Sequence, residues 1–141
     1  MARLTQSRWP SSLARLELFA DASPAELRRI GSLLTLLSLD AGEVLIREGT
    51  IGLEFLIIAS GQATVTADGH ALAVLGSGDF VGEMALLERV PRSATVIADT
   101  PISFYVCNSA EFATLLDVAP SVRAKVIAAA RAREDANRAA A

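Results

Sequence analysis

Apolar residues change their spacing twice along this 141-residue chain. Between Ser23 and Leu37 they fall at Leu27, Ile30, Leu33, Leu34 and Leu37, the three- and four-residue steps of one helix face. Ser23-Pro24-Ala25-Glu26 marks the start of that helix, because the Ser23 hydroxyl can accept from the Glu26 N–H while proline needs no partner at the first helical position. Before it, Leu13, Leu16 and Leu18, flanked by Trp9 and Phe19, predict a short packed helix over Ser12 to Leu18. From about Thr35 the helical spacing gives way to short apolar runs, rich in Val and Ile and cut by turn residues. Strands are predicted at Val44 to Ile46, Phe55 to Ile58, Ala63 to Ala67, Ala71 to Leu75, Ala94 to Ala98 and Ile102 to Cys107. Asp68-Gly69 separates two of these runs, and the pair tolerates the positive φ angles of a tight hairpin.

The second change follows Cys107. Asn108 and Glu111 form another capping box and open a helix through Phe112, Leu115 and Leu116. After Pro120, Val122, Val126, Ile127 and many alanines predict a final helix, with Glu134 four residues before Arg138 in the favourable order and fraying near Ala141. Helices, roughly eight short strands, then helices again, without a repeat, argue for an antiparallel β-barrel or jelly roll with helices at its ends. The expected organisation is a single domain over 1–141, with the barrel at about 35–107, N-terminal helices at about 11–34 and C-terminal helices at about 109–138.

Composition narrows the picture. The chain is 52% hydrophobic and 21% charged, yet no apolar run approaches the roughly 18 residues of a membrane span, so the apolar content belongs inside the barrel. Thirteen Lys plus Arg against sixteen Asp plus Glu give a net charge of -3, which argues against direct binding to DNA. Cys107 is the only cysteine, so no internal disulfide is possible, and it is expected as a buried strand residue. The N-terminus lacks the layout of a secretory signal, and the expected compartment is the cytoplasm. His70, the single histidine, fits a hairpin position, and no metal site is expected.

The chemistry concentrates in Gly78-Asp79-Phe80-Val81-Gly82-Glu83-Met84-Ala85-Leu86-Leu87, followed by Pro91-Arg92-Ser93-Ala94. Met84 to Leu87 predicts a helix of one or two turns, whose unpaired N–H groups and dipole attract a phosphate. Gly82 lets the backbone approach a ligand closely, and Pro91 fixes the turn that sends Arg92 back toward that helix start. The planar Arg92 guanidinium forks onto two phosphate oxygens and suits a singly charged cyclic phosphodiester. Glu83 would repel that phosphate unless it faces a hydroxyl, and a ribose 2′-OH is such a partner. The final helix is rich in bases, at Arg123, Lys125, Arg131, Arg133 and Arg138, which reads as a solvated face, with contact to a partner or to a ligand's base as the alternative.

This run resembles, without a gap, the phosphate-binding cassette of the cyclic-nucleotide-binding domain family, as found in catabolite activator proteins and protein kinase A regulatory subunits. Gly42-Glu43-Val44, Glu48-Gly49, Gly52 and Ser60-Gly61 also fall where the family's turn glycines fall, so the resemblance covers about Leu18 to Leu116. It implies that Glu83 takes the ribose 2′-OH and Arg92 the cyclic phosphate, while the backbone amides of Ala85 and Ser93 complete the cradle. Val81, Gly82, Met84 and Ala94 accompany them from the cassette, and Val65, Leu72 and Ala73 line the sugar and base pocket. Three departures stand out. Leu53 replaces an acidic residue common after the glycine, no Thr-Ser pair marks the last helix, and Ser93 in place of threonine leans toward cAMP over cGMP.

The resemblance implies a regulatory sensor of cyclic nucleotide rather than an enzyme, with no cofactor and with cAMP or cGMP as ligand. Its output would pass through the C-terminal helix to a protein effector or to a second copy, and Val122, Val126 and Arg123 are the expected contacts of that helix with the base. No DNA-reading domain is expected after the barrel, and no membrane contact. The alternative is a module of the same fold that binds proteins independently of nucleotide. A cyclic-nucleotide hydrolase is disfavoured, because the sequence shows no metal-ligand cluster and no nucleophile-base pair.

Overall fold

In a computed structural model, which describes residues 13–88 and 90–140 apart from the side chains of 84, 85, 88 and 137–140, two four-stranded antiparallel sheets form a jelly roll flanked by helices. One sheet has the order β1-β8-β3-β6, with β1 at Thr35–Leu39, β3 at Glu54–Ser60, β6 at Phe80–Val81 and β8 at Ile102–Asn108. The other runs β2-β7-β4-β5, with β2 at Val44–Ile46, β4 at Ala63–Ala67, β5 at His70–Leu75 and β7 at Thr95–Ala98. The helices are α1 at Pro24–Leu33, α2 at Glu83–Glu88, α3 at Ser109–Val118 and α4 at Pro120–Ala140.

Strands β3 and β8 explain why their sequences are apolar without alternation. Leu56, Ile58, Phe104 and Val106 face the interior between the sheets, where they meet Ile46, Leu75, Val81 and Val96. The residues between them, Phe55, Ile57, Tyr105 and Cys107, face the other way and pack under the helices with Phe112, Leu115, Val122 and Val126. Both faces of this strand pair are therefore buried, so a polar residue at either parity would lose its water. The hairpin between β4 and β5 turns at Asp68 and Gly69, with φ of 52° and 79°, as the tight two-residue turn requires.

Both predicted capping boxes form. Ser23 Oγ accepts from Glu26 N–H at 3.1 Å and Asn108 Oδ1 accepts from Glu111 N–H at 2.8 Å, each with the reciprocal bond from the glutamate carboxylate. Two expectations change. The single helix predicted over Ser12 to Leu18 is interrupted: helical backbone ends after Ala14, Leu16 is extended, and a separate 3-10 turn covers Glu17–Phe19. Leu13, Leu16, Leu18 and Phe19 are all buried, and at 3.6 residues per turn Leu18 would lie about 140° from Leu13 on one helix, so the break is what brings all four inside. The helix periodicity through Leu37 also stops early. Leu34 is extended and Thr35 pairs with Val106, which places Leu37 in β1 with its side chain against the barrel interior. Trp9 and the fraying end at Ala141 lie outside the described residues.

Candidate functional site

Strand β6 ends at Val81, and the chain turns through Gly82 into α2. Gly82 has φ of +99°, and a Cβ there would lie 2.6 Å from Arg92 Nη1 and 2.6 Å from the Glu54 carbonyl oxygen. Only glycine fits both the backbone conformation and the space. What approaches this glycine closely is therefore the Arg92 side chain and the first residue of β3, in addition to any ligand above it.

Arg92 is anchored at both ends. Its backbone N–H donates to the Thr50 carbonyl at 2.8 Å and its carbonyl accepts from Gly49 N–H at 2.8 Å, while Pro91 bridges to Ile51. The guanidinium donates through Nη1 to the Gly82 carbonyl at 3.2 Å and through Nη2 to the Glu54 carbonyl. The side chain thus points at the start of α2, as expected of a residue sent back by the Pro91 turn. Burial lowers its pKa from the ordinary arginine value, and the negative charges of Glu54 and Glu83 oppose that shift. An arginine starts so high that it remains a cation across the physiological range.

Glu83, the first residue of α2, is 1% exposed. Its Oε1 accepts from Arg133 Nη1 in an ion pair that spans fifty residues of sequence. Arg133 Nη2 donates to the Phe80 carbonyl at 2.7 Å, and the Arg133 Cζ lies 5.4 Å from the centre of the Phe80 ring. One side chain from α4 therefore holds both β6 and α2 on either side of Gly82.

Above these groups lies a cavity of about 330 Å³. Val65, Leu72 and Ala73 from the β4–β5 hairpin, Val81, Gly82 and Glu83 from the loop, and Arg92, Ser93 and Ala94 from the following segment all line it. Nine of the eleven cassette and pocket residues expected from sequence thus share one cavity. The other two, Met84 and Ala85, follow Glu83 in α2, and their side chains lie outside the described residues. The wall is otherwise apolar, through Ile46, Leu75, Val90 and Val96, and α4 contributes Arg133 and Ala136. Its size lies at the small-ligand end of the usual range of roughly 300 to 1,000 Å³.

The contact of α4 with the cavity corrects one expectation. Val122 and Val126 are fully buried in the helical core beside Leu13, Leu16 and Phe112, and Arg123 is exposed, so none of the three lines the cavity. The reason is the path of α4. Its first half packs on the outer face of the barrel, where Lys125 Nζ also donates to the Glu17 carbonyl at 2.6 Å and pairs with Asp21 at 3.1 Å. Only its later turns reach the cassette. Arg133 belonged to a basic face expected to be solvated, and the signal that could have distinguished it is Glu83, a carboxylate that needs compensating positive charge once buried.

A second hollow, of about 650 Å³, separates Leu86 and Leu87 of α2 from Phe112, Ala113 and Leu116 of α3, with Ile51 and Leu53 at its rim. It is apolar and contains no ionisable group among its lining residues. Cys107 is buried in β8, and burial, with Glu111 and Glu54 adding to it, pushes its thiol up to about 12. Among the described residues no group of three or more His, Cys, Asp or Glu side chains could hold a metal ion, and no helix is long and apolar enough to cross a membrane.

Comparison with known proteins adds four findings. The profile of the family described as "Cyclic nucleotide-binding domain" matches residues 36–118. The chain is 36% identical over 137 residues to Acetyltransferase Pat of Mycolicibacterium smegmatis, covering 94% of this chain and 40% of that protein. It is 33% identical over 113 residues to the cAMP-dependent protein kinase regulatory subunit of Yarrowia lipolytica, covering 79% of this chain and 30% of that protein. Among solved structures, a cAMP-binding acyltransferase from Mycobacterium smegmatis superposes with a TM-score of 0.70 at 36% identity, covering 91% of this chain and 41% of the other. The chain thus spans well under half the length of these relatives.

Proposed function

Because this chain belongs to the cyclic nucleotide-binding domain family, we propose that it is a cyclic-nucleotide receptor, with cAMP its preferred ligand, that regulates an effector through its C-terminal helix. One observation carries the reading: Arg92, a buried cation, and Glu83, a buried carboxylate, open onto one cavity whose remaining wall is largely apolar. A cyclic nucleotide has a matching layout, with one negative phosphodiester, one ribose hydroxyl and an apolar base. Arg92 takes the exocyclic phosphate oxygens, and the amides of Ala85 and Ser93 at the start of α2 and after Pro91 complete the cradle. Glu83 accepts from the 2′-OH, and Val65, Leu72 and Ala73 pack against sugar and base. Ser93 favours cAMP, since it lacks the threonine methyl that would hold the hydroxyl in one rotamer.

The output is a movement of helices. A ligand shifts an equilibrium only by its differential affinity for two states. The hollow between Leu86, Leu87 and Phe112, Leu116 leaves room for α3 to close on α2 when phosphate docks, and α4 follows because it packs on α3. The receiving surface belongs to a protein effector or to a second copy of the chain, acting in the cytoplasm without direct DNA contact. The role is regulatory, not catalytic. Acetyl transfer, which names one relative, is not assigned here, since the match covers 40% of that protein.

Thermal unfolding with a nucleotide panel tests the reading. One-site binding stabilises the fold by RT ln(1 + [L]/Kd), so cAMP should raise the unfolding temperature most, cGMP less, and 5′-AMP, which lacks the ring phosphodiester, least. Equal effects from all three at millimolar concentration would remove the assignment. No response to any of them would favour the nucleotide-independent interaction module.

A further inference from the structure

Each four-stranded sheet has two outer strands, and β5 is unlike the other three. β2 and β6 have three and two residues, and β1 is half-buried along its whole length. In β5 every residue before Leu75 is exposed, and among the described residues its one partner strand is β4. We propose that β5 is a contact between two copies of this chain: it pairs antiparallel with β5 of a second copy about a two-fold axis, joining two four-stranded sheets into one of eight strands. The inference goes beyond nucleotide binding and does not depend on it.

An edge strand presents unpaired N–H and C=O groups along one side, and monomers guard such edges with lysine, proline or a covering segment. β5 reads His-Ala-Leu-Ala-Val-Leu, without Asp, Glu, Lys, Arg or Pro. Its register with β4 skips Leu72, a bulge that twists the edge but adds no charge to it. Leu72 and Val74 are 59% and 63% exposed, so the strand shows water an apolar edge.

Pairing across the sheet fixes which way Val74 points. Val74 pairs with Thr64, Thr64 with Ile97 and Ile97 with Val44, whereas the neighbouring row of Ala73, Val65, Val96 and Ile46 lines the nucleotide cavity. Val74 therefore lies on the outward face, at the end of a largely apolar row that a partner sheet would continue.

A second copy is the occupant that this edge fits. A strand lying antiparallel to itself across a two-fold brings each residue before the axis beside one after it, so the apolar side chains of the two copies meet on both sides of the axis. Charge selects the same place. Each chain carries a net charge of -3, which opposes association over most of the surface, but β4 and β5 contain no Asp, Glu, Lys or Arg. Six residues a side is a small contact beside the roughly 1,600 Å² of a standard interface, so the dimer should be weak and concentration-dependent.

Sedimentation from micromolar to millimolar protein, without nucleotide, tests this on the wild-type chain, Val74→Lys and Leu53→Lys. Leu53 is 62% exposed and precedes β3 in the other sheet, so the same change is made at a comparable surface away from β5. Both variants should fold, which the unfolding temperature checks. The wild type should pass from monomer to dimer as concentration rises, and Leu53→Lys should follow it. Val74→Lys sets two ammonium groups at the contact and should weaken the dimer at least tenfold. Amide exchange over residues 70–75 should slow with concentration in the wild type and not in Val74→Lys, a signature of backbone pairing that side-chain contact alone would not give. A monomer at every concentration would overturn the proposal and leave the edge to an extended segment of a different protein. A dimer that survives Val74→Lys, that Leu53→Lys abolishes equally, or that leaves exchange at 70–75 unchanged would overturn it too.

Discussion

Arg133 and Glu83 form an ion pair across fifty residues of sequence, joining the later turns of α4 to the first residue of α2. The carboxylate is almost completely buried and the guanidinium about one-third exposed. If Glu83 accepts from the ribose as proposed, Glu83→Ala should abolish most of the preference for cAMP over its 2′-deoxy analogue. It should cost less total affinity than loss of Arg92, since its ligand partner is a neutral hydroxyl. Parallel titrations with the two nucleotides decide it. A mutant that keeps the full 2′-OH preference would contradict the role of Glu83.

Gly82 and Gly42 have similar positive φ angles, +99° and +90°, but different surroundings: a Cβ at Gly42 meets nothing within 4 Å, whereas at Gly82 it collides with Arg92 and the Glu54 carbonyl. Gly42→Ala should therefore cost about 1 kcal/mol of backbone strain. Gly82→Ala should cost clearly more and should also weaken nucleotide binding by displacing Arg92. Denaturant midpoints for the two variants provide the comparison, and equal losses would contradict the packing argument.

The fold was legible where the pattern is local. Asp68-Gly69 marks its hairpin, Ser23 and Asn108 mark their helices, and the cassette from Gly78 to Ala94 reads without a gap. The strand Thr35–Leu39 is harder to see, because Leu34 and Leu37 continue the helical spacing of α1 and only pairing with β8 overrides it. Phe80–Val81 is too short to show alternation and is a strand only by virtue of its pairing with Leu56 and Ile57. Arg133 could not be placed from sequence for a different reason. Its reach depends on the course of α4, which is set by Val122 and Val126 packing against the turn at Glu17–Phe19 and against α3, not by anything near residue 133.

Cys107 gives a pH dependence of known sign. Burial pushes its thiol up to about 12 in the fold from an ordinary value of 9.0, so above pH 9 the unfolded chain loses a proton that the folded chain keeps. The stabilisation is complete below pH 9 and is lost as pH rises from 9 toward 12. Cys107→Ala should flatten this alkaline loss relative to the wild type in unfolding experiments across that range. The buried neutral thiol should also resist thiol reagents at neutral pH until the protein is unfolded. Rapid labelling of the native chain would contradict the burial.

The relay predicts that cAMP slows amide exchange at Gly82 to Ala85 and also across Val118 to Arg131. Removing α4 entirely would strip Val122 and Val126 from the core and confuse binding with folding. Truncation after Ala130 keeps that packing and deletes Arg133 and Ala136. It should weaken cAMP by about tenfold, or about 1.4 kcal/mol. Protection confined to the cassette, with unchanged affinity in the shortened chain, would exclude α4 from the response.

The central claim is that Arg92 holds a cyclic phosphate at the start of α2, and calorimetric titration of cAMP into the wild-type chain and Arg92→Ala tests it most directly. The wild type should bind saturably with one nucleotide per chain. Arg92→Ala should lose about 2 to 5 kcal/mol, the usual cost of removing one partner from a buried charged contact. Absence of heat with the wild type at millimolar cAMP, or binding that Arg92→Ala leaves intact, would contradict the account.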